Sequence, residues 1–336
     1  MLLTALALAA LGLVLGLSAC GGGGGSTASG STEATPDPIK AVSDPTEIIP
    51  ISFNPENQKV TLTIGSKNFP EQEILGEIYA QALAAAGFKV KTALNLGSET
   101  VALKALKSGQ ISGYPEYVST ALTSFFGFEP EEVPSGALAA KEKANVEFLE
   151  EGLQTFAPTP FASANAVGTT RQIAEKYDLK TISDLKGVSE KLSLYGSPEC
   201  RQRIDCLAGL EKLYGLKFKS FTPVDIGLRY TVLEKNQADL SILFTTDPQL
   251  SAESDKFVIL KDDKHVFPPG NVVFVHKRAT AWEAGSGFEL TIQAVQEGLT
   301  LKVMQELDAR VELEKETPKE VAQAYLESAG YIVSSP

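Results

Sequence analysis

Histidine is almost absent from this 336-residue chain, which has only His265 and His276. Its three cysteines, Cys20, Cys200 and Cys206, are widely split, so the ligand spacings of a zinc site are missing. A hydrolase needs a nucleophile with a base and an orienting acid. No Gly-x-Ser-x-Gly occurs, and neither histidine sits near a plausible nucleophile. These absences argue against an enzyme and point to no metal or cofactor, with an exported hydrolase as the remote alternative. Basic residues are also short, 30 against 42 acidic, for a net charge of −12. No basic run or aromatic–basic stripe offsets that balance, which argues against a nucleic-acid partner.

One apolar run, Leu2 to Leu17, has signal-peptide length and is too short for a comfortable membrane span. It ends in Leu17-Ser18-Ala19-Cys20 before Gly21 to Gly25, although no basic residue precedes it. This resembles a bacterial lipoprotein signal, in which residues 1–20 form the leader region and Cys20 carries the lipid. The alternative is a short anchor helix that is kept. Residues 21–58 are rich in Gly, Ser, Thr and Pro and read as a disordered tether. Export to an oxidising compartment makes Cys200 and Cys206 a candidate small-loop disulfide, with free thiols as the alternative. Their spacing is not Cys-x-x-Cys, which argues against a redox role.

From Lys59 the pattern becomes regular. Val60, Leu62 and Ile64 alternate with threonines as a strand, and Gly65 breaks it. Ser66 to Pro70 is a loop with a lysine, an asparagine and an aromatic residue. A helix from about Glu71 carries Ile74, Leu75, Ile78 and Leu83 at helical spacing and stops at Gly87. Lys89 to Leu96 reads as a strand, Val101 to Leu106 as a helix capped by Ser98 or Thr100, and Ile111 to Tyr117 as a third strand. Such a β-α-β-α-β run implies a parallel sheet with crossover helices. One long helix is expected over 135–155, then a crossing at 157–161. The α/β rhythm restarts from Ala164, with strands at 192–196, 218–223, 240–244 and 257–260, and helices at 172–177, 207–214 and 225–236. A return crossing at 265–269 leads to a strand at 272–275, and helices at 288–299, 301–313 and from Thr317 close the chain. The expected organisation is one lobe from 59–162 and 270–336, a second from 163–269, and a hinged cleft between them. Polar groups between a strand's carboxyl end and a helix's start are where open α/β sheets hold ligands. Ser66 to Phe69 is therefore the first candidate loop.

The segments Gly65-Ser66-Lys67-Asn68-Phe69-Pro70-Glu71-Gln72 and Tyr114-Pro115-Glu116-Tyr117, with Thr120-Ala121-Leu122, resemble the binding proteins of osmoprotectant ABC importers. Further matches are Pro198-Glu199, Arg203, Asp205, Asp225-Ile226-Gly227-Leu228 and Phe244-Thr245-Thr246-Asp247. The resemblance covers Lys59 to Tyr331. It implies an α/β, two-lobed periplasmic-binding-protein-like fold of type II, with parallel or mixed sheets. It also implies capture of glycine betaine, choline or carnitine-type solutes.

In that family a box of tyrosines holds the trimethylammonium by cation–π attraction, and lysine, arginine and threonine donors hold the carboxylate. The resemblance therefore implies carboxylate donors at Lys67, Thr120 and Arg203 and a box ring at Tyr117, with Phe244 in place of a tyrosine. Glu199 falls beside the arginine as a lobe-closure residue, and Asn68, Tyr114 and Thr245 complete the candidate set. The match departs at Ser163-Ala164-Asn165, where the family often carries an amide or acid followed by tyrosine. It departs again at Gly270, where a tyrosine usually follows Pro-Pro. Each lost ring removes about 0.5–2 kcal/mol of cation–π attraction.

The resulting expectation is a monomeric, lipid-anchored, extracytoplasmic receptor working with a permease and an ATPase. An amino acid or an ergothioneine-like betaine is the rival ligand. If Lys67 and Tyr117 are exposed ligand contacts, truncating either to alanine should weaken binding and leave the fold's stability nearly unchanged.

Overall fold

The computed structural model of the protein describes residues 48–333. The expected leader with Cys20, and the tether as far as residue 47, lie outside these residues. The last part of the expected tether is folded. Ile51 N–H donates to the Tyr331 carbonyl at 2.9 Å, Asn54 N–H donates to Ala86 O at 3.1 Å, and Ile48 and Ile51 pack on a core. The folded unit thus begins before Lys59. Isolated isoleucines held by backbone bonds carry no periodicity, so composition alone assigns them to the tether.

Among the described residues, eleven strands follow one another. They are Thr61–Gly65 (β1), Lys89–Ala93 (β2), Gly113–Tyr117 (β3), Leu153–Thr155 (β4), Ala162–Ser163 (β5), Asn165–Thr170 (β6), Ser193–Gly196 (β7), Ser220–Pro223 (β8), Leu240–Phe244 (β9), Phe257–Ile259 (β10) and Gly270–Lys277 (β11). The first sheet runs β2-β1-β3-β11-β4 with β5 beside β11, and the second runs β10-β6-β9-β7-β8. Within the first sheet β2-β1-β3 are parallel, and within the second β9-β7-β8 are parallel. β11, β6 and β10 pair antiparallel, so both sheets are mixed.

Parallel strands need crossovers on the sheet faces, and the helices supply them. Helix Pro70–Ala85 buries Ile74, Leu75, Ile78 and Leu83 completely. Gly87 then turns the chain at φ 101°, a conformation that costs glycine nothing. Ser98 sits at the N-cap of helix Glu99–Ser108, which ends at Gly109. The helix expected over 135–155 is shorter, Ala137–Glu150. Gly152 adopts φ 73° and re-aims the chain, so Leu153–Thr155 becomes edge strand β4 against β11. The stretch from Asp225 is helical only from Arg229 to Glu234, after a 3-10 turn at Ile226–Leu228. Strand β6, Asn-Ala-Val-Gly-Thr-Thr, was not anticipated, because its residues are small or polar and lack clear alternation. Its Gly168 lies under Leu243, where a Cβ would fall 2.1 Å from Leu243 Cδ1.

The chain passes between the sheets twice, and the two passages are bonded together. Ser163 and Ala162 of β5 pair with Gly270 and Asn271 of β11. The Asn271 side chain donates to Thr159 O at 2.9 Å and to Phe161 O at 3.0 Å. Two strands tied side by side limit the motion there to bending.

His276 of β11 is fully buried within an aromatic group, 4.2 Å from the Phe156 ring and 5.6 Å from Phe288. Burial lowers its pKa to about 4, with the Lys277 carbonyl at Nδ1 opposing the shift. The unfolded chain takes up this proton near its ordinary value of 6.5 and the folded chain does not. The contribution is therefore intact above pH 6.5 and is lost as pH falls toward 4. At about 1.4 kcal/mol per pKa unit it amounts to about 3 kcal/mol. Urea unfolding across that range should show this decline, and His276→Leu should flatten it.

Candidate functional site

A cavity lies between the two sheets, lined from both. Its first wall is the loop after β1. Ser66 Oγ accepts the Asn95 N–H at 2.9 Å and donates to Lys67 O at 2.9 Å, while Gln72 accepts the Lys67 N–H at 3.3 Å. Fixed this way, Lys67 turns inward and is 4% exposed. Its ammonium is paired with Glu116 on β3, which is fully buried. Glu116 also accepts the Tyr114 hydroxyl at 3.0 Å and the Tyr117 N–H at 2.8 Å. Burial pushes the Glu116 carboxyl up, and Lys67 pulls it back down. Neither charge is tolerable there without the other.

The second wall is aromatic. Phe69 lies between Tyr117, 6.2 Å away and stacked, and Phe244 at the end of β9, 5.3 Å away. Lys67 Nζ sits 4.5 Å from the Tyr117 ring centre, and the Arg229 guanidinium sits 4.1 Å from that of Phe244. Each ring therefore already has one of the chain's own cations on a face. Behind them, Tyr117 donates its hydroxyl to Glu71, and Arg229 pairs with Asp247 at 2.7 Å.

The third wall is the loop after β7, closed by a Cys200–Cys206 disulfide with a Cα–Cα distance of 5.1 Å. It carries Glu199, Arg203 and Asp205 to the cavity. Arg203 grips Asp205 through two bonds, Nε at 2.8 Å and Nη2 at 2.6 Å. It also reaches across to the first lobe, where Thr120 Oγ1 is 3.4 Å away and Glu99 3.7 Å. Beside it, Thr123 Oγ1 donates to Asp205 Oδ2 at 3.1 Å. On the opposite flank, Gln249 donates to Glu312 at 2.8 Å, and Arg229 lies 3.6 Å from the same carboxylate.

The family model for the substrate-binding domain of ABC-type glycine betaine transport systems matches residues 60–328. The chain belongs to this family. A glycine-betaine-binding protein of Pseudomonas aeruginosa is 34% identical over 282 residues, covering 80% of this chain and 88% of that protein. A carnitine transport binding protein of Listeria monocytogenes is 29% identical over 279 residues, covering 82% and 89%. A crystal structure of a glycine betaine/carnitine/choline ABC transporter protein superposes with a TM-score of 0.63 at 26% identity, covering 80% of this chain and 99% of that one. The periplasmic-binding-protein-like, two-sheet architecture follows, and the family is one of solute-binding domains, not enzymes.

Within this family frame, Lys67, Asn68, Tyr117, Thr120, Ser163, Asn165, Arg203 and Phe244 all line the cavity, as does Glu199. Tyr114 and Thr245 do not. Tyr114 is wholly buried in the core flanking β3, with its hydroxyl spent on Glu116. The Thr245 hydroxyl accepts the Ala164 N–H at 3.0 Å and joins β9 to β6. Ser163 shares a hydrogen bond with Thr246 at 3.0 Å, and Asn165 donates to Asp205 O at 2.9 Å. A Cβ at Gly270 would lie 2.2 Å from Ser119 Oγ and 3.1 Å from the Ser119 Cβ and backbone N, so a larger residue there requires Ser119 to shift.

Sequence reading missed Glu116, Glu71, Arg229 and Glu99. A signal existed for two of them. Glu116 lies on the same strand face as Tyr114, two residues away, in a stretch of mostly apolar and aromatic residues, and Arg229 falls between the apolar Ile226-Gly227-Leu228 and Tyr230, so both needed a buried partner. Lys67 is also not the exposed loop lysine that sequence suggested. Lys67→Met leaves Glu116 buried and unpaired and should lower stability by about 3–5 kcal/mol in urea unfolding. Adding Glu116→Gln should restore a large part of that loss.

Proposed function

We propose that this protein is the lipid-anchored, extracytoplasmic receptor of an ABC importer and that it captures a small zwitterionic or quaternary-ammonium solute of the glycine betaine, choline or carnitine type by closing its two lobes. The observation that carries this reading is the cavity wall itself. Lys67, Thr120 and Tyr117 come from one sheet's side, and Arg203 and Phe244 from the other. A ligand touching both sides favours the closed arrangement by its differential contacts. Its carboxylate would meet Lys67, Thr120 and Arg203, and its onium group the rings of Tyr117 and Phe244. The permease and ATPase of the importer are the partners that receive it, and the chain acts as a monomer. The gap at Ser163 and Gly270, and the cations already on both rings, favour a second ligand class within the same role. That class is an amino acid, which asks less of an aromatic box, or a larger ergothioneine-like betaine.

Thermal unfolding of the chain with glycine betaine, choline, carnitine, ergothioneine or amino acids separates these readings. A ligand at a hundred times its Kd stabilises by about 2.7 kcal/mol, a shift of several degrees. At least one quaternary amine should produce it at millimolar concentration. Stabilisation by an amino acid or ergothioneine alone would move the assignment to the second class. No shift with any of them would remove the small-zwitterion reading.

Within the same reading, Arg203→Ala should weaken binding by more than tenfold in equilibrium titration, because it removes a charged donor that spans both lobes.

A further inference from the structure

Beneath the aromatic wall, four carboxyl groups gather around one cation. Glu71 comes from helix Pro70–Ala85, and Asp308 and Glu312 from helix Leu301–Glu312, all packed on the first sheet. Asp247 follows β9, and Arg229 leads helix Arg229–Glu234, both on the second sheet. Asp247 is the best supported of the four: Arg229 at 2.7 Å, the Tyr230 hydroxyl at 2.9 Å and the Phe244 N–H at 2.9 Å all donate to it, although burial still raises its carboxyl to about 7. Glu312 receives Gln249 at 2.8 Å and lies 3.6 Å from Arg229.

Glu71 and Asp308 have no such support. Glu71 accepts one bond, from Tyr117, and its Oε2 has no partner; neither has Asp308 Oδ1. Both residues are buried, at 4% and 2% exposure, and they face each other. The other groups turned toward them are the carboxylates of Glu312 and Asp247, Arg229, whose Nη2 is held by both of these while its Nε and Nη1 have no hydrogen-bond partner, the neutral Tyr117 and Thr246, and Lys67, which is held by Glu116. Two anions in contact without a cation of their own hold one proton between them.

We propose that lobe closure takes up one proton, which Glu71 and Asp308 share behind Tyr117. This rests on the closing motion proposed above. Separating the sheets removes Arg229 and Gln249 from Glu312 and Thr246 from Glu71, and water reaches the two carboxyls. They then ionise in the ordinary carboxylate range, whereas burial, and for Asp308 the neighbouring Glu71, raise both in the closed form. The sign follows directly. The closed state binds the extra proton, so closure and ligand affinity strengthen as pH falls. Asp308 touches no ligand. It is a positioning residue, acting through Glu71 on the hydroxyl of Tyr117.

Isothermal titration of the full chain with glycine betaine, at one pH in two buffers of different ionisation enthalpy, counts the protons taken up. The unmodified chain should take up about one, and its Kd should tighten by up to about tenfold per pH unit between pH 8 and 6. Asp308→Asn supplies a permanent N–H donor to Glu71, so uptake should fall by about one proton and the pH dependence of Kd should shrink to the part Asp247 contributes, while binding persists. Glu71→Gln is the second variant, used where Asp308→Asn does not fold. Zero uptake in the unmodified chain, or uptake unchanged in the variants, overturns the proposal. Failure of glycine betaine to bind at all counts against the ligand, and scattering of the unliganded chain then decides the proton question. The radius of gyration should fall from pH 8 to pH 6 in the unmodified chain and stay low at both in Asp308→Asn. An unmodified chain with one radius at both pH values overturns the proposal.

Discussion

A lysine ammonium taken out of water needs an anion beside it, and the contact between Lys67 and Glu116 meets that need at the centre of the first lobe. Much of the pocket's geometry follows from this pair. Glu116 fixes the Tyr114 hydroxyl and the Tyr117 backbone, and Lys67 lies over the Tyr117 ring. The same rule recurs around the cavity. Arg203 is bound by Asp205, and Arg229 by Asp247, so each basic side chain in the wall carries its own acid. A zwitterionic solute would enter a site whose charges are already balanced. It could not rely on a bare cation and would have to share existing ones.

The legible part of this fold is the part governed by local rules. The strand–loop–helix opening at Thr61 to Ala85, the Ser98 cap and the Thr317 capping box all follow from residues adjacent in sequence. The missed elements depend on distant partners. β4 exists because β11 offers it an edge, and β6 because β9 and β10 pair on either side of a run with little pattern of its own. The site divides the same way. The resemblance to the family pointed to Lys67, Tyr117, Thr120 and Arg203, all of which line the cavity, and for Lys67 its loop after a strand pointed the same way. It could not reveal that Lys67 has a buried acid 49 residues away, or that Arg229 covers Phe244. Those are facts of packing across sheets. Tyr114 looked equivalent to Tyr117 in the motif and is not, because the pairing of β3 turns it into the core.

The aromatic side of the pocket shows how one small residue shapes recognition. A side chain at Gly270 would require Ser119, in the helical turn that follows β3, to give way. The two rings that do face the cavity, Tyr117 and Phe244, touch through Phe69 instead of standing apart as walls of a cage. Phe69 stacks on Tyr117 at 20° but meets Phe244 at 51°, so the three rings form one angled apolar side.

Finally, the lobes are held together on both flanks of the cavity by bonds the chain makes with itself, Thr123 to Asp205 on one side and Gln249 to Glu312 on the other. These contacts are indifferent to what lies between them. Opening the cleft would break these bonds along with whatever contacts a bound solute makes, so release would depend on both, and a partner that pulls on the flanks could speed it without entering the pocket.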